Sequence, residues 1–507
     1  MTALSPALFG TALPSEIRLG NVDRSRSVGL PALEPLVGSV SARLQSLGVE
    51  PGAVVVYAGP QQAAAMVLFW AVTRCGGVFA AVDEAWPEFQ LLQVARILTP
   101  RMVVTTAERR VAATTAFPTA EMLILEPDQA LTDLEALAEW AGSGLHMDTV
   151  QVDPGAAAAY LFTSGTSGVP KAVIHSRAAL AHSAQLTLDI FQWRAGERLV
   201  NLPDPHTMSG LRNAFLAAPL GGLEWIPIPA RDRSDLFALL DGLAAAECQR
   251  LVIGPLLLRQ LARLGDRAPA SLFSSLKAIY CTGASLDAGS VETLHARWGV
   301  PVINYYGLTE TGGLCLSQRL DDWRPGDRSL GRPAGCEVRL ADGKGGDVPT
   351  GDDGELLVRS PQLMSGYLGD PGGGVRLEDG WIHTGDLARR RPDGAYELVG
   401  RASQFIKTVS TDRVYPEEIE RVMEQHPSVE EAAVYGRPDP GGGERIVALV
   451  VTPLDPAAFA DFSTELADFV VSQLGPSRRP SIVQRVGGLP RQSNGNLQRQ
   501  KLADLTV

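Results

Sequence analysis

Residues 51–82 read PGAVVVYAGPQQAAAMVLFWAVTRCGGVFAAV, and the fold class turns on this stretch. After the Pro51-Gly52 turn, Ala53 to Tyr57 is a short run rich in β-branched residues, which suits a strand. Gln61 to Cys75 is too long and too continuously apolar for anything but a buried helix, and Gly77 to Val82 reads as the next strand. Strand, helix and strand in this order place two parallel strands on either side of a crossover helix. The same rhythm extends both ways. Apolar residues recur every three or four positions from Pro31 to Gly48, a helix, and a helix from Glu88 followed by a strand at Arg101 to Thr105 continues the pattern. It resumes with strands at Ala157 to Phe162, Arg198 to Leu202, Arg250 to Ile253, Ala278 to Cys281 and Val302 to Tyr305, from which a second layered sheet is expected.

From about Arg319 the chain turns to short strands between Gly, Pro and Asp turns, as in GELLVRS and GAYELVG, and a small β subdomain is expected there. Beyond Arg401 another unit begins, with a helix at Glu417 to Gln425, strands at Glu431 to Tyr435 and Ile446 to Val451, and a helix through Glu465 to Leu474. The expected architecture is α/β: a large N-terminal domain, residues 1–400, with subdomains 1–150, 151–318 and 319–400, and a smaller C-terminal α+β domain, 401–507. A chain of 507 residues with 45% hydrophobic residues supports cores of that number and size.

The formal charge of −12 excludes a broad basic face for nucleic acid, though not a local anion site. The longest apolar run, Ala63 to Val72, is well short of the ~20 residues that span a bilayer, so no membrane span is expected. The first residues, MTALSPALFGTALPSEIRLG, lack the pattern of a secretion signal, and a cytoplasmic location is expected. The five cysteines, 75, 248, 281, 315 and 336, are scattered without a CxxC and read as reduced thiols.

The densest chemical signal is Leu161-Phe-Thr-Ser-Gly-Thr-Ser-Gly-Val-Pro-Lys171, a strand running into a loop of hydroxyls and glycines that ends at a lysine. Gly165 and Gly168 let backbone N–H groups converge on an anion. Thr163, Ser164, Thr166 and Ser167 add hydroxyl donors, and Lys171 adds a positive charge. The spacing of a Walker loop is absent, which disfavours a P-loop NTPase. A second candidate is Asn304-Tyr-Tyr-Gly-Leu-Thr-Glu310, a strand ending at Gly307 that delivers an aromatic plane, a hydroxyl and a carboxylate at the carboxyl edge of the sheet, where open α/β sheets bind ligands.

On these residues the chain resembles the adenylate-forming superfamily of acyl-CoA synthetases, adenylation domains of non-ribosomal peptide synthetases and luciferases, over nearly its whole length. The hydroxyl-rich loop resembles that family's phosphate loop. Cys75 to Asp83 resembles an early helix-to-strand motif, and Thr282-Gly283-Ala284-Ser285 resembles the loop bordering substrate and adenine. The resemblance implies an ATP-dependent, AMP-forming ligase with a mobile C-terminal lid. It implies that Asn304, Tyr305 and Tyr306 border the nucleotide with Tyr306 on adenine, that Thr309 touches the α-phosphate, and that Glu310 binds Mg²⁺. Asp386 in WIHTGD and Arg401 would hold the ribose. A carboxylate suits a vicinal diol because two acceptor oxygens face two donors. His206, in LPDPHTMSG, matches the histidine of the acyl pocket wall, with Met208, Gly210 and Thr282 as further wall residues.

The chain also departs from the family. Where the C-terminal domain normally carries its adenylation lysine, Pro490-Arg-Gln-Ser-Asn-Gly-Asn496 has asparagine, which donates a hydrogen bond but no full charge. Lys501, five residues on, reads as a surface lysine. Ser403 stands where Asp or Lys is usual, and Thr408 to Pro416 lacks the glycine that helps form the pantetheine passage. Three readings therefore stay open. The first is activation of a small-molecule carboxylic acid, aryl acids included, with transfer to CoA, an acyl or peptidyl carrier protein or another nucleophile. The second is a diazotase that activates nitrite for an aromatic amine, and the third a nucleotide- or acyl-binding homologue impaired in catalysis.

Overall fold

The computed structural model describes residues 13–15, 17–126, 131–147, 150–164, 170–228, 235–267, 274–283, 286, 288–343, 345–369, 375–408, 413–439, 443–491 and 497–506. Strand, helix and strand of the opening stretch form at Val54–Ala58, Ala63–Arg74 and Val78–Ala81, and the two strands pair in parallel. Every residue of the helix from Ala63 to Thr73 is buried. An element apolar all round must be covered all round. The helix Leu30–Ser46, the helix Asp133–Ala141 and the segment Leu211–Ala217 contribute to that cover.

The first sheet has seven strands, in the order Gly366–Tyr367, Pro170–Ser176, Ala157–Ser164, Val78–Ala81, Val54–Ala58, Met102–Thr105 and Glu121–Ile124. The second has nine, in the order Arg332–Pro333, Leu316–Ser317, Val302–Tyr306, Ala278–Cys281, Arg250–Ile253, Arg198–Asn201, Glu224–Trp225, Arg18–Gly20 and Ser27–Gly29. One expectation changes here: the strand at Ala157 belongs to the first sheet. It lies parallel to Val78–Ala81 and antiparallel to Pro170–Ser176, so it closes the first sheet instead of opening the second. The hairpin at Arg18–Gly29, in turn, extends the second sheet.

The β subdomain is an antiparallel set of five strands, Glu337–Ala341, Asp353–Arg359, Arg376–Glu378, Trp381–Arg390 and Tyr396–Arg401. The C-terminal unit packs the helices Pro416–Met423 and Pro456–Leu474 on a three-stranded sheet, Glu431–Pro438, Glu444–Val451 and Ile482–Arg485. Its own core is built from residues such as Ile419, Val434, Ala448 and Leu466. The molecule is thus a mixed α/β fold with a large N-terminal and a small C-terminal domain. Among the described residues, no helix is long and apolar enough to cross a membrane. The five cysteines are free thiols, four of them buried.

Candidate active site

The hydroxyl-rich loop connects the two strands of a hairpin, because Thr163 pairs with Lys171 and Ser164 with Pro170. Lys171 therefore begins the return strand and does not end the loop. Gly165, Thr166, Ser167 and Gly168 lie outside the described residues. Lys171 is buried, and its Nζ stands 5.8 Å from the ring centroid of Tyr367. That ring belongs to the edge strand beside Lys171's own, with Tyr367 opposite Val173.

The second sheet delivers its residues to the same place. Val302–Tyr306 ends at Gly307, where any Cβ would fall 2.4 Å from the carbonyl carbon of Gly313, so this close backbone approach requires glycine. The turn Thr309–Thr311 follows and is stitched by Leu308 N donating to Thr311 Oγ1 at 2.8 Å. Ser183 Oγ and Arg212 Nη1 then converge on the carbonyl of Gly312, at 2.8 and 3.1 Å. Glu310 is buried. The Tyr367 hydroxyl donates to its Oε1 at 2.8 Å, Thr163 Oγ1 approaches the same oxygen at 3.5 Å, and Met364 N holds its backbone carbonyl at 2.9 Å. Thr163, Lys171 and Glu310, far apart in sequence, thus meet around Tyr367.

Beside them, Tyr306 donates from its hydroxyl to Asp386 Oδ2 at 2.5 Å, and Arg401 Nε lies 2.8 Å from Asp386 Oδ1. The register explains the second contact, since Asp386 and Arg401 are cross-strand partners in the β subdomain. Burial pushes the Asp386 carboxyl up from its ordinary value, and the Arg401 charge opposes that rise. Burial, then the Asp386 charge, pushes the Tyr306 hydroxyl well above its usual range, so it stays a donor.

Two neighbours of Tyr306 are spent on packing. Alternation along the strand turns Tyr305 to the opposite face, where its ring meets Phe191 at 5.2 Å and its hydroxyl meets Ser209 Oγ at 2.7 Å. Asn304 is buried and bridges to the carbonyl of Ser329 at 3.0 Å. Their side chains therefore hold the strand in place and do not join the cluster.

Around the expected acid pocket, His206 Nε2 stands 3.8 Å from Asp83 Oδ2, and Met208 is buried. Gly210 has a packing reason to be glycine, because a Cβ there would strike the Asp204 carbonyl oxygen at 1.9 Å. Thr282 is half-buried and Gly283 exposed with φ near +101°. Ala284, Ser285, Asn496 and the turn at 409–412 lie outside the described residues. Lys501 is exposed, as read from the sequence.

Sequence reasoning passed over Tyr367 and Arg212. Tyr367, in MSGYLGD, carries no local signal because its partners lie across the fold. Arg212 could have been found, since it is the one charge inside the apolar run LRNAFLAAPL, and a charge in such a setting is informative. Among the described residues, no three His, Cys, Asp or Glu side chains group into a metal cage. Glu310 still fits a magnesium ion, which commonly takes one or two carboxylates and completes its shell with phosphate oxygens and water. Both hydrogen bonds described to that carboxylate land on Oε1.

Comparisons with known proteins bear on the family and the fold. A family model described as AMP-binding enzyme matches residues 21–368, and one described as AMP-binding enzyme C-terminal domain matches residues 418–496. An indoleacetate–CoA ligase of Aromatoleum aromaticum is 28% identical over 95% of this chain and 94% of its own. A sulfoacetate–CoA ligase of Cupriavidus necator is 29% identical over 96% and 94%. The ATP-bound crystal structure of MatB from Rhodopseudomonas palustris is 25% identical and superposes with a TM-score of 0.85 over 99% of each chain.

Proposed function

Because the chain belongs to the AMP-binding enzyme family and is an AMP-forming ligase, we propose that it joins a small-molecule carboxylic acid to AMP, using ATP and Mg²⁺, and passes the acyl group to the thiol of CoA or of a carrier protein. In the first step a carboxylate oxygen attacks the α-phosphorus, and the bond to the leaving pyrophosphate breaks. Mg²⁺, when bound, supplies charge neutralisation and orientation of the phosphates. Lys171 and the hydroxyls of the hairpin loop bind phosphate oxygens, Thr309 donates toward the α-phosphate, and Glu310 offers its carboxylate to the cation. Asp386, with Arg401, accepts from the ribose hydroxyls, and the Tyr306 ring forms a wall for the base. His206, Met208 and Thr282 border the acid.

The observation that carries this reading is the meeting of Lys171 and Glu310 at Tyr367, with the Tyr306–Asp386–Arg401 chain alongside. A basic group and an acidic group side by side suit a metal-chelated polyphosphate better than a free anion, which Glu310 would repel. We take residues 1–400 as the nucleotide-holding domain and 401–507 as the lid, with Arg401 at the hinge. The cytoplasm suits both the ATP requirement and five free thiols. The nitrite reading draws no support from the relatives named above, whose names describe acid–CoA ligases.

Pyrophosphate release from ATP, measured with a panel of carboxylic acids and separately with nitrite plus aryl amines, tests the proposal. Carboxylic acids should drive release. Glu310→Gln should lower Mg²⁺-dependent turnover by about 10²-fold, the order expected for removal of one charge-stabilising group, and unchanged kinetics would remove the metal assignment.

A further inference from the structure

The stretches Gly354-Glu-Leu-Leu-Val-Arg-Ser360 and Trp381-Ile-His-Thr-Gly-Asp386 face each other in the β subdomain, on the antiparallel strands Asp353–Arg359 and Trp381–Arg390. Their register breaks where Asp386 is carried. Leu357 stands opposite His383 and Glu355 opposite Leu387, so the three residues 384–386 are set against Leu356 alone. The surplus is a β-bulge, and Gly385 at its centre takes φ near +72°, the left-handed conformation that favours glycine. Bulges beside a functional site commonly re-aim a side chain. Here that side chain is Asp386.

An ionised carboxylate offers about four lone-pair sites. Tyr306 takes one on Oδ2 of Asp386 and Arg401 one on Oδ1, at 2.5 and 2.8 Å. One site on each oxygen is left for the two hydroxyls of a ribose, and both can be met only if the carboxylate keeps its plane. That plane is set by the backbone of the bulge.

A bulge interrupts the ladder, so its backbone groups need other partners. Asp386 N donates to Thr384 Oγ1 at 3.1 Å, Thr384 Oγ1 to the Leu356 carbonyl at 2.7 Å, and Ala402 N to the Gly385 carbonyl at 2.8 Å. Gly385 N donates across the strands to Glu355 Oε1 at 3.3 Å. The other oxygen of Glu355 lies 3.1 Å from His383 Nδ1, and Arg376 Nη2 lies 3.0 Å from that nitrogen. Glu355 therefore spans the bulge, from the residue just before it to the amide at its centre. It does so close to another acid. After burial, the charges of Glu310 and Glu355 add to the upward push on the Asp386 carboxyl, against Arg401 and Tyr306. Like charges side by side are unfavourable, and the fixed point that Glu355 gives the Gly385 N–H offsets that cost.

We propose that Glu355 is a positioning residue that sets the preference of this enzyme for ribonucleotides. By holding the Gly385 N–H it orients Asp386 so that both remaining acceptor sites meet ribose hydroxyls, and His383 holds Glu355 in turn. The inference rests on the reading of Asp386 as the ribose-binding carboxylate, and the two fail differently. The test is calorimetric binding of ATP and of 2′-deoxyATP, each with Mg²⁺, to the full-length protein.

The wild type should bind ATP about tenfold or more tightly than 2′-deoxyATP, the equivalent of one hydrogen bond to a charged group. In Glu355→Ala that ratio should fall to near one, through weaker binding of ATP with the deoxynucleotide little changed. Glu355→Gln keeps an acceptor for the amide and should restore most of the ratio, and His383→Ala should give an intermediate value. A wild-type ratio in Glu355→Ala, or an equal loss for both nucleotides, overturns the inference and leaves Asp386 on the ribose. Equal binding of both nucleotides by the wild type removes Asp386 from the ribose and the inference with it. Where Glu355→Ala does not fold, Glu355→Asp decides, since one methylene fewer withdraws the carboxylate from Gly385: a reduced ratio supports the inference and an unchanged one overturns it.

Discussion

Tyr367 ties together the two groups of opposite charge on which the proposed chemistry depends. Its hydroxyl fixes one oxygen of Glu310, its ring lies under Lys171 Nζ, and its oxygen accepts from Val375 N at 3.1 Å. Burial and the Glu310 charge hold the phenol well above its ordinary range, so it remains a donor throughout the working pH. Tyr367→Phe keeps the ring and removes the donor. The Mg²⁺ concentration for half-maximal turnover should rise about tenfold, the equivalent of one hydrogen bond to a charged group, while metal-free nucleotide binding by calorimetry stays near wild type. An equal change in both measurements would make Tyr367 a packing residue. Glu310 and Asp386 stand out in the sequence because each lies in a motif that resembles one of the adenylate-forming superfamily. Tyr367 does not, because its hydrogen bond to Glu310 spans 57 positions and exists only once two sheets are folded against each other.

The elements themselves were legible wherever local periodicity decides. The helix at Ala63–Arg74 and the strands flanking it follow from the pattern alone. What local pattern does not encode is partnership between strands. An apolar strand at Ala157 fits either sheet equally well, and its place was settled by the hairpin with Pro170–Ser176. That hairpin also carries a titratable group. His175, two residues beyond Val173 on the return strand, is fully buried, and burial pushes its imidazole down to about 4 from the usual 6.5. Between those values the unfolded chain binds one more proton than the folded one, so the contribution is complete above about pH 6.5 and is lost as the pH falls toward 4. At the lower end the loss amounts to roughly 3 kcal/mol. Urea unfolding at pH 7.5 and pH 5 should show a smaller drop in stability for His175→Gln than for wild type, and identical drops would remove His175 as the source.

At the scale of the whole molecule, the small domain leans on the large one through charged pairs. Arg263 reaches Glu430, with Nη1 3.5 Å from the carboxylate and Nη2 3.0 Å from the backbone carbonyl, and Arg259 lies 3.6 Å from Glu424. Arg421 Nη1 donates to the carbonyl of Leu398 at 3.0 Å, close to Arg401 in the chain. The Arg263–Glu430 pair is half-exposed, so it holds weakly and is screened by salt, whereas Arg259–Glu424 is largely buried and is screened less. A small C-terminal domain was legible from the new α/β rhythm after Arg401. The docking was not, because it depends on side chains of helices more than 150 residues apart.

The central claim is that this assembly presents a magnesium-chelated triphosphate for attack at its innermost phosphorus. The most direct measurement is ³¹P NMR of ATP turned over by the full-length protein with Mg²⁺, a mixture of mono- and dianionic carboxylic acids, and hydroxylamine as acceptor. AMP and pyrophosphate should accumulate in equal amounts and only when acid is present, whereas ADP with inorganic phosphate, or AMP formed equally without acid, would contradict the account.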